Sequence, residues 1–315
     1  MENLIFSLNV TLPIFLTIVI GYLLKQIKLL NDGFVKTLNK FNFDITLPAL
    51  IFLDLYEADF YKVWDTKYVV FCFVVTLVCI FVILGLTLIF GKDKSLTGEF
   101  VQASYRGSAA VLGLALIQNI YGSTTIAPLM IIGSVPLYNV LAVVILSLTR
   151  PDTKGLDKKA LLKALKGVIT NPVLIGIALG MIASLLRLEL PLIATRTLSN
   201  LAVLATPLAL IGLGAGFEGK AALHLMKPIL LASAIRLIVQ CAVFLPLAVH
   251  IGFSGEKIIS LLVMLGAPTT PSCYIMAKNM GHKGDLTSGA VVMTTLLSAL
   301  TLTFWLFLLK SHGII

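Results

Sequence analysis

Long apolar stretches and short polar ones alternate along the whole chain. Ten apolar runs can be marked, at 5–25, 34–53, 67–91, 100–121, 124–149, 170–187, 192–216, 228–252, 257–278 and 286–309. About 20 helical residues span the roughly 30 Å hydrocarbon core of a bilayer. The runs are continuous and lack the two-residue alternation of a membrane β-barrel. The pattern therefore predicts an all-α polytopic membrane protein with ten transmembrane helices.

Two of the runs are interrupted near their middle. EFVQASYRGSAAVLGLALIQNIYG (99–122) is broken by glycine and serine. KIISLLVMLGAPTTPSCYIMAKNMG (257–281) carries Gly266, Pro268, Pro271 and the hydroxyl residues Thr269, Thr270 and Ser272. Each proline removes a backbone donor and crowds the carbonyl four residues back. Freed backbone groups are tolerated at membrane depth only against protein or a wet cavity. An unwound helix offers N–H groups and a positive half-helix end to an anion, and carbonyls to a cation. The breaks thus predict a binding site built from backbone.

The broken segments fall at matching places in an internal repeat. Pro13 and Pro172, Gly21 and Gly180, Lys28 and Arg187, and Leu29 and Leu188 all lie 159 apart. KTLNKFNFDITLPALI (36–51) lies over RTLSNLAVLATPLALI (196–211) at an offset of 160, and Gly107 meets Gly266 at 159. Each half holds five runs. An odd number inserts the second half from the opposite face, the inverted repeat that transporters use to place a site near the bilayer midplane. The expected division is a first five-helix repeat at 1–149, a cytoplasmic linker at 150–169 and an inverted second repeat at 170–315. Within the linker, 156–166 (LDKKALLKALK) reads as a surface amphipathic helix.

Composition agrees with this class. The 315 residues are 58% hydrophobic and 12% charged, against about 25% charge in soluble domains. The acidic N-terminus and the lack of a cleavage site mark the first run as a retained helix. The net charge of +9 comes from loop lysines and arginines. Alternate loops carry sixteen on one side and six on the other, leaving only Arg106 and Arg236 inside the membrane. The positive-inside rule puts the sixteen in the cytoplasm and both termini outside. This is an orientation signal, and nucleic acid is not an expected partner. Cys72, Cys79, Cys241 and Cys273 and the four histidines show no metal-ligand spacing. No catalytic motif is present, so neither an enzyme, a metal nor a cofactor is expected.

Candidate chemistry centres on Arg106, next to the first break. A charge at the bilayer centre costs about 2.5–3.5 kcal/mol on insertion scales, so it should face a cavity or an acidic partner such as Asp44. A guanidinium can hold a carboxylate bidentately. Asp44 is the candidate intramembrane acid, for a proton, a cation or charge balance. Arg236 is a second intramembrane cation with no break around it. Asn139 is a candidate cavity-lining polar group.

Several stretches give the chain a family likeness: ITLPALIF (45–52), VLGLALIQNIYG (111–122), VPLYNV (135–140), TNPVLIG (170–176), APTTPSCYIMAKNMG (267–281) and an S-x-x-T-x-x-x-W pattern from Ser298 to Trp305. Over essentially its whole length the chain resembles the auxin efflux carrier family, whose bacterial members include malate and malonate permeases. The resemblance implies ten helices in two inverted repeats, a scaffold domain, a transporter domain, and broken fourth and ninth helices that cross where an organic anion binds. The crossovers map to 106–115 and 266–273. The chain departs from the plant pattern, with Gly107, Ser108 and Ala109 in place of Pro-Asn-Thr and Ala115 in place of the crossover proline. Gly107 and Gly113 must then make the first break, and a small, more charged carboxylate suits Arg106 better than indole-acetate.

The expected function is a secondary transporter of small organic anions such as dicarboxylates, multi-pass in the cell membrane and working by alternating access. The expected substrate-binding residues are Arg106, Gly107, Ser108, Gly113, Asn139, Pro268, Thr269, Thr270, Pro271 and Ser272. A proton or sodium is the expected coupling ion, and a homodimer is allowed. A sodium-coupled symporter of the bile-acid type, or a ligand sensor that does not transport, are the alternatives. The sensor lacks an appended output domain.

Overall fold

The computed structural model describes residues 2–57, 64–108, 117, 126–150 and 170–315. In chain order the helices are α1 (Glu2–Gln26), α2 (Asp32–Phe41), α3 (Leu47–Tyr56), α4 (Thr66–Phe90), α5 (Thr97–Tyr105), α6 (Ala127–Leu148) and α7 (Pro172–Leu185). They continue as α8 (Leu192–Ala215), α9 (Gly219–His224), α10 (Met226–Ala234), α11 (Gln240–His250), α12 (Glu256–Gly266), α13 (Ser272–Asn279) and α14 (Asp285–Ser311). Two π-helical turns, Asn42–Thr46 and Ile235–Val239, join α2 to α3 and α10 to α11 without a break. The linker helix expected at 156–166, Gly113 and most of the fourth apolar run lie outside the described residues.

Among the described residues, five helices are long and apolar enough to cross a membrane: Thr66–Phe90, Pro128–Leu148, Leu192–Ala215, Met226–His250 and Asp285–Ser311. Leu12–Gln26 and Pro172–Leu185 are shorter apolar helices. The ends follow local chemistry. Asn31 caps α2 by accepting from Phe34 N at 2.8 Å, and Asp65 caps α4 by accepting from Tyr68 N at 3.0 Å. Asp65 also pairs with Lys257 at 2.5 Å, tying α4 to α12. α1 and α7 end alike. Leu29 N bonds Leu24 O at 3.0 Å and Leu188 N bonds Ala183 O at 2.9 Å. Lys28 (φ 62°) and Arg187 (φ 50°) take the left-handed conformation that this C-terminal motif requires.

The helices pack as two groups. α1, α2, α3, α7 and α8 contact one another, and α4, α5, α6, α9, α10, α11, α12, α13 and α14 form the rest, with α1 also against α14. Hydrocarbon provides no hydrophobic drive between helices, so close packing relies on small residues. A Cβ on Gly21 of α1 would lie 2.4 Å from Ile211 O of α8, and one on Gly180 of α7 would lie 2.7 Å from Phe52 O of α3. The outer surface is apolar, as at Phe90, Ile193 and Phe307. The inner surfaces meet around the two broken segments.

Candidate functional site

Both breaks follow from their sequences. Ala267 precedes Pro268, and that position is pushed out of the helical region. It adopts φ −66°, ψ 150°, and ends α12. Pro271 sits at the N-cap of α13, where its missing N–H costs nothing. In the other segment α5 ends at Arg106 (φ −92°, ψ 105°), and Gly107 follows. The two extended pieces cross antiparallel, with Gly107 opposite Thr269. Ser108 N donates to Pro268 O at 2.9 Å and Thr270 N to Arg106 O at 3.3 Å. Each break satisfies part of the other's freed backbone.

Side chains fix the crossing. Thr269 Oγ1 donates to Ala103 O at 2.8 Å, and Thr269 N donates to Thr294 Oγ1 at 3.0 Å. Gln102 Nε2 donates to Cys273 O at 3.0 Å. Arg236 donates through Nε to Ala267 O at 2.7 Å, through Nη1 to Tyr105 O at 2.8 Å and through Nη2 to Met264 O at 2.7 Å. A Cβ on Gly107 would come within 1.7 Å of Arg236 Nη2, so this position must be glycine for the guanidinium to sit there.

Beside the crossing lies a cavity of about 80 Å³. One water needs only about 10–15 Å³ by this measure, so a small molecule with a few waters fits. Arg106, Gly107, Ser108, Asn139, Thr270, Pro271 and Ser272, all expected from the sequence, line it. Asn42 and Asp54 add polar groups from the π turn and α3, while Ile51, Val135 and Ala209 are among the apolar walls. The pocket lies between the two helix groups. Arg106, 3% exposed, donates through Nη2 to Asn139 Oδ1 and through Nη1 contacts Met276 Sδ. Asn139 Nδ2 in turn donates to Val135 O at 2.9 Å. Thr270 and Ser272 hydroxyls are 3.1 Å apart.

Other expected residues lie elsewhere. Pro268 and Thr269 build the crossing and do not line the cavity. Asp44 is in the π turn, half-buried and also off the lining. Arg236 is fully buried behind the crossing. Among the described residues the salt bridges are Lys25–Asp32 and Lys257–Asp65, so Arg106 has no carboxylate partner there. Asp54 falls just beyond the second apolar run, which ends at 53, and hydropathy alone passes over it. Its signal is the helical spacing of Leu47, Leu50, Ile51 and Asp54, all on the pocket. Asn42, 1% exposed, is held by its own bond to Ala205 O at 2.9 Å and by Thr46 Oγ1 at 2.7 Å. Among the described residues, no group of three His, Cys, Asp or Glu is arranged to hold a metal.

A helical protein with membrane-length apolar helices, crossed half-helices and a buried arginine beside a small cavity has the build of a membrane carrier. The family profile described as "Membrane transport protein" matches residues 6–306. The chain belongs to this family, that of the auxin efflux carriers. It is 22% identical over 308 residues to an "Uncharacterized transporter" of Methanothermobacter thermautotrophicus (strain Delta H), covering 95% of this chain and 97% of that protein. It is 25% identical over 320 residues to a protein named "Putative malonate transporter" from Rhizobium meliloti (strain 1021), covering 97% of each.

Proposed function

We propose that the protein carries small organic anions, dicarboxylates of malonate size, across the cell membrane by alternating access. The observation that carries this reading is the pocket itself. Arg106 faces it with no acidic partner among the described residues. Ser272, the first residue of α13, brings a positive helix end to the same cavity. Both features favour a carboxylate, and two short carboxylates suit a cavity of about 80 Å³. Thr270, Ser272 and Asn139 supply hydrogen bonds around the charge. Asp54 is the acid on the pocket wall, suited to hold a coupling proton.

The alternation would be a movement of the α1–α3, α7, α8 group against the other helices, with the pocket at their boundary. Several features support ten spans in two inverted halves. Lys28 and Arg187, 159 apart, share one left-handed helix end. Gly21 packs on Ile211 and Gly180 on Phe52, a pair of contacts exchanged by that same offset. The loop charges favour both termini outside. Uptake of labelled malonate into proteoliposomes tests the function. Saturable uptake competed by other short dicarboxylates is the expected result, and no uptake above empty vesicles would refute it.

A further inference from the structure

We propose that Arg236 is a built-in cation of the crossover, occupying the oxygen ligands that a dissociable cation would otherwise need. The residue is fully buried. Its guanidinium binds four oxygens: Ala267 O at 2.7 Å, Met264 O at 2.7 Å, Tyr105 O at 2.8 Å and Gln240 Oε1 at 3.2 Å. Three of these are main-chain carbonyls at or just past the C-terminal ends of α5 and α12. Helix C-termini leave their last carbonyls without intrahelical partners and carry a partial negative charge. Two such ends converge here inside the membrane, a place that calls for positive charge. Carbonyl and amide oxygens gathered this way are the ligands that hard cations such as Na⁺ take.

The surroundings are fitted to the guanidinium. Gln240, one turn beyond Arg236, donates to Ser104 O at 2.7 Å and so holds the next carbonyl of α5. The π turn Ile235–Val239 carries Arg236 inward, and Gly107 leaves room for Nη2. Among the described residues no carboxylate pairs with Arg236. Its charge is balanced by helix ends. A cation fixed to α10–α11 cannot leave with the substrate. The crossover therefore stays closed without sodium, and uptake does not draw on it.

The uptake readout rests on the proposed function, whereas the stability readout does not. Purified protein in nanodiscs is melted in sodium, potassium and choline chloride at equal ionic strength, and uptake is measured in the same salts. Wild type should show one Tm and one uptake rate in all three. Arg236→Ala should melt about 5–10 °C lower and regain much of the loss on adding millimolar guanidinium, which fits the emptied socket; sodium should restore part and choline none. A sodium-dependent wild-type Tm or uptake would overturn the proposal. So would an Arg236→Ala protein that melts like wild type, or one that guanidinium does not restore. Should Arg236→Ala fail to fold, the wild-type salt series decides alone. Wild type that melts identically in all salts yet takes up nothing would sink the transport reading and leave this one standing.

Discussion

Two buried arginines flank one crossing of broken helices, and their surroundings give them opposite work. Arg236 is wrapped by four oxygens, three of them main-chain carbonyls. Arg106 has one side-chain oxygen, from Asn139, and a methionine sulfur, and it opens on a cavity. Both are at most 3% exposed, so burial alone does not separate them. What separates them is how much of the guanidinium's five-donor capacity the protein already uses. An arginine with four hydrogen bonds already met by the protein holds structure, and one with more donors to spare at a cavity is placed to hold an anion.

The largest effect that would test this contrast is Arg236→Met. It removes the donors but keeps much of the volume, leaving three helix-end carbonyls and Gln240 unpaired in the membrane. A loss of roughly 3–5 kcal/mol in stability is expected, measured by thermal or denaturant unfolding in micelles. Next, Arg106→Ala should weaken dicarboxylate binding about 100-fold, near 2.7 kcal/mol, while the Tm moves only slightly. Calorimetry and melting on one sample separate the two quantities. If both variants lost stability equally, the contrast would be gone.

Asp54→Asn should act mainly on pH dependence. The carboxylate shares the pocket with the bound anion, and like charges repel. Malonate affinity of the wild type should therefore fall as pH rises through the titration of Asp54. The substituted amide mimics the protonated acid, so the variant should bind with a flatter profile, read from Kd between pH 5 and 8. The smallest change expected is for Ser272→Ala. One neutral hydrogen bond is worth about 0.5–1.5 kcal/mol, so affinity should fall by no more than about tenfold.

Much of this arrangement is legible from the chain. The apolar runs at 67–91, 192–216 and 286–309 match helices to within a few residues, because only continuous hydrophobicity suits a lipid-facing helix. The second break is legible because Pro268 and Pro271 dictate it locally. Arg106, Ser108, Asn139, Thr270 and Ser272 meet at one cavity, as charge and hydroxyl groups at a break suggest. The rest depends on contacts between distant segments. Thr269 reads as a pocket hydroxyl, yet it donates its hydrogen bond to Ala103 O, 166 residues away. Arg236 has no local signal, since all of its backbone partners come from α5, α12 and the turn after α12. The π turns at Asn42 and Ile235 carry no proline or glycine, and a single inserted residue hardly disturbs an apolar period. Asp54 escapes for a simpler reason. The second apolar run closes at Leu53, just before this acid, although Asp54 continues the face that lines the pocket.

The most direct test of the carrier reading is counterflow of labelled malonate in proteoliposomes loaded with unlabelled malonate, comparing wild type with Arg106→Ala reconstituted at equal, folded amounts. Transient accumulation of label with wild type and its loss in the variant is the expected result. Label accumulating equally with both would show that the Arg106 pocket is not where the anion is held.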